Sequence, residues 1–369
     1  MDVGWTRREA PANVMVFLDM GKVNARRYTL IRSLATKLGI GAALGATLLL
    51  AACGTSSTGG SGTTTSSLLA CTATAADLTA GSGGHGAGGT KDATLAGKKI
   101  SASGSSALQP LLKDVAAEFD TVQGTQSAIA AGGSGTGLTQ VSQGAVDLGM
   151  SDIFAQEKSG ITASALADHQ VAAVAFAMIV NNDLQGKVGN LTTDQLTKIF
   201  TGEASNWSEF GGPTEPITAV IRPTGSGTRA TFKKYVLNGA DDTAGTAVSQ
   251  DNTGAVVAAV KATPGAIGYV ASGFVTGANA SDATPLCIDG AKATEADINS
   301  GKYKFWGIEH VYTKGPATGA AKALIQYTLS DDVQKNDVPR LNFYKLSGID
   351  QAAIAAHTPS GAPAPETLS

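Results

Sequence analysis

Apolar residues along this chain recur at two spacings, one typical of strands and one typical of helices. Residues 98–102 are a short strand candidate, and the apolar residues within 108–119 that follow recur at helical spacing. The run 171–180 is apolar throughout, which predicts a fully buried strand that crosses between two lobes. Thr192 and Gln195 have the spacing of a capping box at the start of a helix. This alternation predicts an α/β body.

Length and composition indicate two lobes rather than one domain. With 369 residues and 43% hydrophobic content, the chain buries a sizeable core and exceeds the usual domain size of about 100–200 residues. Charged residues make up only 15%, whereas 46 residues are glycine, so a coiled coil is excluded. A polytopic membrane protein is excluded because the one long apolar stretch, residues 38–52, is too short to span a bilayer.

The net charge of -3 conceals two opposite regions. Residues 1–52 contain seven Lys and Arg against three acids, and the remainder contains 20 against 27. An acidic surface offers no basic stripe to a nucleic-acid backbone, so no nucleic-acid partner is expected. Any anion bound by this protein must therefore be held by a local group of residues.

The N-terminal region has the pattern of a secretory signal. Basic residues between Arg26 and Lys37 precede an apolar run that ends in small residues directly before Cys53. This arrangement resembles a bacterial lipobox, which implies cleavage before Cys53 and lipid attachment to its thiol, tethering the protein to the outer face of a membrane. A buried helix with Cys53 as an ordinary core residue is the alternative. We expect residues 1–52 to be a leader and lipoprotein signal peptide, with 1–19 a mis-assigned start.

Two further segments are predicted to lack a fold of their own. Residues 54–67 contain only Gly, Ser and Thr, so 53–93 is predicted to be a flexible linker before a body that begins near Thr94. The composition of residues 358–369 predicts a disordered tail.

The cysteines and histidines give little evidence of redox or metal chemistry. Cys71 and Cys287 either pair as a disulfide outside the cytoplasm or remain two separate thiols, because the sequence gives no distance between them. The four histidines are scattered and the chain has no CxxC pattern. We therefore expect neither a metal nor a cofactor.

Three glycine-rich loops carry the candidate chemistry. Residues 104–106, 133–137 and 225–228 place small hydroxyl residues where a helix begins, and free backbone N–H groups there can surround an anion. Helix capping alone explains any one loop, whereas three in one chain favour an anion site. Arg222 and Arg229 flank the third loop and offer planar donors to a tetrahedral oxyanion, although surface solvation is the alternative for each.

Asp152 follows a strand candidate at a fourth loop. By itself it is a turn former or helix cap. In an anion site, however, a carboxylate only accepts hydrogen bonds, so it favours an anion that still carries a proton, such as monohydrogen phosphate. Sulfate would leave two acceptors facing each other, at a cost of roughly a few kcal/mol.

Six motifs, SASGSSALQPL, GGSGTG, DLGMSD, LTTDQLTKIFTGEASNW, IRPTGSGTRATF and PGAIGYV, occur in an order that resembles the phosphate-binding lipoproteins of bacterial phosphate ABC transporters, over about residues 97–330. The resemblance implies a two-lobed periplasmic-binding-protein fold, with a hinge between the lobes and the ligand in the cleft. It also implies a monomer that delivers inorganic phosphate to the permease subunits of an ABC transporter. We expect the first lobe to comprise 94–178 plus 271–357, and the second 179–270.

The resemblance also implies the ligand-binding residues. They are Ser106, Ala107 through its backbone N–H, Ser134 and Asp152 in the first lobe, and Arg222, Ser226, Gly227 and Thr228 in the second. Two positions depart from the family pattern: Thr224 replaces a common acidic partner of the arginine, and Ala107 replaces an occasional aromatic residue. The first departure leaves the orientation of Arg222 open.

Several other functions are alternatives to phosphate transport. A serine hydrolase lacks support because no GxSxG motif surrounds Ser134 or Ser226, and a nucleotide enzyme lacks a P-loop. A receptor for sulfate, molybdate or tungstate shares the architecture, but Asp152 argues against it. A surface adhesin or phosphate sensor would retain the pocket. We expect a non-enzymatic, lipid-anchored extracytoplasmic phosphate receptor.

Overall fold

The computed structural model describes residues 67–368. The predicted signal peptide, Cys53 and the first part of the predicted linker lie outside the described residues. Within 67–368, no helix is both long enough and apolar enough to cross a membrane.

Strands and helices alternate through the described chain, as the apolar pattern predicts. The strands are β1 (Lys99–Gly104), β2 (Gln126–Ala131), β3 (Leu148–Ser151), β4 (Leu166–Val180), β5 (Asn190–Leu191), β6 (Thr218–Ile221), β7 (Val248–Ser249), β8 (Ala266–Ala271), β9 (Thr284–Pro285), β10 (Cys287–Ile288) and β11 (Trp306–Lys314). The helices are α1 (Gln109–Gln123), α2 (Ser134–Gln143), α3 (Thr193–Thr201), α4 (Gly227–Tyr235), α5 (Thr253–Ala262), α6 (Glu295–Asn299), α7 (Gly319–Thr328), α8 (Asp331–Arg340) and α9 (Gln351–His357).

Local sequence signals set several helix ends. The capping box predicted at the start of α3 is confirmed, because Thr192 Oγ1 accepts the N–H of Gln195 and the Gln195 side chain accepts the N–H of Thr192. Pro110 lies in the first turn of α1, where its missing N–H has no helical partner to lose. Gly124 ends that helix with a φ of 71°, a conformation that favours glycine.

One long strand joins two halves of a mixed sheet. The sheet order is β2-β1-β3-β11-β4-β8-β6-β7. Residues 166–175 of β4 pair with β11, and residues 176–180 pair with β8. We call the strands on the β11 side, with the helices packed on them, the first lobe, and those on the β8 side, with their helices, the second lobe. The predicted apolar crossover strand therefore belongs to both.

The strand pairing of one short segment differs from the predicted lobe boundaries, which otherwise stay a prediction. Strand β9 pairs with the end of β4, and β10 pairs with β5. Residues 284–288 therefore lie with the second lobe, although the sequence assigned the chain after 270 to the first. These strands contain only two residues each, too few to show a period.

The described part of the predicted linker is packed against the body. We call residues 67–93 the strap. Cys71 forms a disulfide with Cys287 of the second lobe. Further along, the N–H of Gly86 donates to Asp337 of α8 at 3.0 Å, and the N–H of Gly88 donates to the Tyr327 hydroxyl of α7 at 2.7 Å. The strap thus contacts both lobes, in contrast to the expected flexible linker.

The C-terminal segment also makes specific contacts, where a disordered tail was expected. The backbone N–H of Glu366 donates to the carbonyl of Asp168 at 2.8 Å. Its carboxylate lies 3.3 Å from Nε2 of the buried His169. Burial lowers the pKa of His169, and the nearby charge of Glu366 acts in the opposite direction. Polar composition alone does not reveal such contacts.

Candidate functional site

Three helices begin at one place in the cleft between the lobes. Ser134 starts α2 in the first lobe, whereas Gly227 starts α4 and Thr253 starts α5 in the second. All three residues are buried. Because the first N–H groups of a helix lack helical acceptors, this convergence concentrates donors and positive helix-dipole ends.

Arg222 lies beside these helix ends, directly after β6. Its side chain is almost completely buried, with 1% of the residue exposed. The guanidinium Nη2 donates to the carbonyl of Asp251 at 3.0 Å and to Ser106 Oγ at 3.3 Å. Its Nε has no acceptor among the described residues. The Asp251 carbonyl therefore orients the arginine. In the family pattern an acid at the position of Thr224 is commonly the partner of this arginine.

The electrostatics of Arg222 reflect its burial. Desolvation lowers the pKa of its guanidinium, and the nearby charge of Asp152 acts in the opposite direction. An arginine nevertheless stays protonated in proteins. The cleft thus contains a fixed positive charge with an unpaired donor.

Asp152 supplies the complementary acceptor from the end of β3. Its Oδ2 accepts from the Thr228 hydroxyl at 2.9 Å, and its backbone N–H donates to Ser134 Oγ at 3.0 Å. Its Oδ1 is buried and has no donor among the described residues. A ligand in this cleft would meet one carboxylate and one guanidinium.

The two lobes touch at this site. The N–H of Gly135 in the first lobe donates to the carbonyl of Gly225 in the second at 2.9 Å. Ser106 Oγ and Thr253 Oγ1 lie 3.0 Å apart. A Cβ on Gly227 would clash with Ser134 Oγ and lie 3.0 Å from the Cβ of Asp152. This close approach across the cleft explains why glycine stands at 227.

The structure brings together most of the predicted ligand residues. Those that lie at the cleft are Ser106, Ser134, Asp152, Arg222, Gly227 and Thr228. Ser226 caps α4, since its Oγ accepts the N–H of Arg229, and its role toward a ligand stays a prediction. The N–H of Ala107 already donates to Ser105 Oγ at 3.0 Å.

Arg229 points to a different partner. It forms an ion pair with Asp242, whose other oxygen accepts from the Tyr269 hydroxyl at 3.0 Å. That hydroxyl in turn accepts the backbone N–H of Arg222 at 3.1 Å. Arg229 is therefore linked to the backbone of Arg222 through Asp242 and Tyr269. Its guanidinium pairs with Asp242 and does not join that of Arg222 as a donor to the ligand.

Sequence reasoning missed Thr253. Its hydroxyl lies 3.5 Å from Arg222 Nη1, and its backbone N–H donates to Ser106 Oγ at 3.2 Å. The available signal was the capping residue Asn252 before an apolar helical run. No glycine-rich loop precedes this helix, so its start lacks the pattern that identified the other loops as candidate anion sites.

A group of possible metal ligands lies elsewhere, at His85, Asp114, Glu118 and Asp337. The guanidinium of Arg340 already bridges Asp114 and Asp337. This cation offsets part of the negative charge of the carboxylates, and the cluster forms an ion-pair network.

Comparisons with known proteins agree with this geometry. The family model of the PBP superfamily domain matches residues 53–332. The phosphate-binding protein PstS of Bacillus subtilis is 47% identical over 240 residues, which cover 65% of this chain and 78% of that protein. A Clostridium perfringens ABC transporter substrate-binding protein with bound phosphate superposes with a TM-score of 0.62 at 26% identity, covering 68% of this chain and all of that one.

A more distant structure supports the fold alone. The ABC-type phosphate transport receptor of Vibrio cholerae superposes with a TM-score of 0.54 at 22% identity, covering 66% of this chain and 99% of that one. The predicted two-lobed α/β fold is confirmed by these matches. The chain therefore belongs to the PBP superfamily and, within it, to the phosphate-binding PstS proteins.

Proposed function

We propose that this protein captures inorganic phosphate in the cleft between its lobes and delivers it to the permease of an ABC transporter. The observation that carries the proposal is the pairing of one buried guanidinium with one buried carboxylate, each with an unpartnered atom, at converging helix N-termini. The PstS relative and the phosphate-bound homologous structure support the same ligand.

The residues divide the recognition of monohydrogen phosphate between them. Arg222 offsets part of its negative charge, and the helix starts at Ser134, Gly227 and Thr253 supply backbone N–H donors. Asp152 accepts the remaining proton of the anion through an oxygen that otherwise has no donor. Fully ionised sulfate lacks that proton, so its oxygen would face a carboxylate.

Closure of the cleft is the signal for the permease. Contacts from both lobes favour the conformation in which they surround the ligand, and a permease that recognises this conformation takes up loaded receptor selectively. The role is binding and transport, without catalysis. The hydrogen-bond partners of Ser106 include Arg222 and Thr253, an arrangement that lacks the general base of a serine hydrolase.

The location follows from the N-terminal pattern. We propose export and lipid attachment at Cys53, which places the body outside the cytoplasm and tethered to the membrane. Metabolic labelling with a radioactive fatty acid tests this directly. Label should enter the wild-type protein and be lost from Cys53→Ser, with the disulfide mutant Cys71→Ser as a matched cysteine control that keeps the label.

Isothermal titration of the purified protein, freed of carried-over phosphate, tests the ligand. We expect one phosphate per chain and no sulfate or molybdate heat at neutral pH. Deletion of the gene should reduce phosphate uptake by cells. Binding of sulfate in place of phosphate would overturn the ligand assignment, and normal uptake after deletion would overturn the transport role.

A further inference from the structure

A second carboxyl group lies behind Asp152. Glu309 on β11 has 0% exposure, and both of its carboxyl oxygens lack a donor among the described residues. Its neighbour His310 pairs with Ser151 across the β11–β3 ladder, which brings Glu309 alongside Asp152. The two carboxyl groups are therefore neighbours and interact electrostatically.

Among the described residues, the elements packed against β11 bring no buried Lys or Arg to Glu309. Strand β11 packs against β3, β4, α2 and α9. Helix α2 has no titratable residue. The titratable groups on the other elements, directly after β3 and on β11 itself are Asp152, Asp168, His169, His310, Tyr312, His357 and Lys314, of which Lys314 is exposed at the end of β11.

These neighbours already have partners of their own. His310 Nδ1 lies 2.8 Å from Asp168. His169 lies 3.3 Å from Glu366, and His357 bonds to backbone carbonyl groups. Asp152 is therefore the group left to interact with Glu309.

Two acceptor oxygens attract each other only if a proton lies between them. Charge decides which carboxyl carries it. Arg222 and Thr228 stabilise the ionised form of Asp152, whereas no donor stabilises ionised Glu309. With both carboxyls ionised, Arg222 would face two negative charges before any anion arrived.

We propose that Glu309 is a positioning residue for Asp152: it stays protonated at neutral pH and donates a hydrogen bond to the Asp152 carboxylate. This bond orients the Asp152 side chain as the acceptor for the ligand proton. The inference deepens the proposed function and rests on it. It adds to the phosphate site a residue that touches the ligand only through Asp152.

The expected ionisation of Glu309 agrees with this role. Burial raises the pKa of its carboxyl well above the ordinary value, and the charge of Asp152 acts in the same direction. A buried acid next to a carboxylate keeps its proton because ionisation would place two like charges together in a region of low dielectric.

Two variants separate a proton donor from a packing residue. Glu309→Gln keeps the shape and an N–H donor, and Glu309→Met keeps the volume but has no donor. Phosphate dissociation constants are measured for both and for wild type from pH 5 to pH 9, together with thermal unfolding. We expect Glu309→Gln to stay within about threefold of wild type at pH 7, and Glu309→Met to bind at least about tenfold more weakly.

Rescue by the conservative variant is the readout that a purely structural role would not give. Both variants keep the approximate volume of Glu309, but only Glu309→Gln keeps a donor toward Asp152. Equal losses of phosphate affinity in the two variants would overturn the inference.

Infrared difference spectra of wild type minus Glu309→Gln give a measurement without phosphate. A protonated carboxylic acid band is expected at pH 7, and its absence overturns the inference even if Glu309→Met does not fold. If wild type binds phosphate but the band is absent, only the Glu309 inference fails. If the band is present but wild type binds no phosphate, the proposed function fails, and the role of Glu309 toward the ligand fails with it.

Discussion

Thr228 donates its hydroxyl hydrogen to Oδ2 of Asp152 across 2.9 Å, and the two residues belong to different lobes. The bond forms only when the lobes are together. It occupies Oδ2 of Asp152 and leaves Oδ1 available to accept the proton of the ligand. Closure of the cleft therefore fixes the Asp152 carboxylate in place and also encloses the ligand.

Replacement of this acceptor should relax the choice of anion. Asp152→Asn adds an N–H donor, so sulfate no longer meets a carboxylate, and we expect the preference for phosphate over sulfate to fall at least about tenfold. Competition titrations measure the ratio. Asp147→Asn, the same change at an exposed position that bonds to Ser101, is the control and should leave the ratio unchanged. Unchanged selectivity in Asp152→Asn would remove its assigned role.

The positive charge of the cleft should depend on the planar fork of Arg222. Arg222→Lys keeps the charge but loses the paired donors, and we expect phosphate affinity to fall about tenfold or more. Arg222→Ala should lose more. Lys233→Ala, a cation removed from an exposed position on α4, is the control and should bind normally. Wild-type affinity in Arg222→Ala would contradict the proposed site.

The close approach at Gly227 should make closure sensitive to one methyl group. Gly227→Ala places a Cβ against Ser134 and Asp152, and overpacking of this kind costs about 1–3 kcal/mol, or about fivefold or more in phosphate affinity. Gly225→Ala in the same loop is the matched control, because a Cβ there meets nothing within 4 Å. Equal affinities in the two variants, measured by titration calorimetry, would show that the lobes need not approach so closely.

The disulfide should stabilise the fold without contributing to ligand binding. Cys71 and Cys287 are 216 residues apart, and removal of a native disulfide costs about 2–5 kcal/mol. We expect the Cys71→Ser, Cys287→Ser double variant to lose that much free energy of unfolding in urea while its phosphate affinity stays within about twofold. A large loss of affinity would instead indicate that the strap controls the relative position of the lobes.

Acidification should destabilise the protein partly through His357. Burial lowers the pKa of His357 to about 4, and its ring stacks between Trp306 and Tyr235. Between an ordinary pKa near 6.5 and this value, the unfolded chain binds a proton that the folded chain does not. Stability should therefore fall as the pH falls through this window, by about 3 kcal/mol in total.

Unfolding free energies from pH 7 to pH 4 test this contribution. His357→Gln cannot take up the proton, so its stability should decline less steeply than that of wild type. Parallel slopes for wild type and His357→Gln would refute the role of His357.

Much of the site could be predicted because its signals are local. A glycine, a hydroxyl residue and a helix start within a few residues identified the loops at Ser134 and Gly227, since free N–H groups at a helix start are a local property. Arg222 was a candidate because the chain after residue 52 contains few arginines and an excess of acidic residues. The family motifs then placed Asp152 opposite it.

The strap and the C-terminal segment show the limit of composition. Glycine-rich residues 81–89 have one apolar side chain, that of Ala87, and yet their backbone N–H groups find acceptors on α7 and α8. Glu366 reaches the buried His169 across nearly 200 residues of sequence. Such bonds depend on where distant helices and strands lie, and the composition of a low-complexity segment does not indicate those positions.

The sequence by itself determined the alternation of strands and helices and the glycine-rich helix starts, because each depends on neighbours along the chain. The family motifs added Arg222 and Asp152 as candidate ligands. Only the tertiary structure decided that the Asp251 carbonyl orients Arg222, that Thr253 joins the site, and that Glu309 lies behind Asp152. These relationships arise where β11, α5 and the end of β3 meet. Their physical reason is burial: a polar group removed from water must find its partner in space, wherever that partner lies in the sequence.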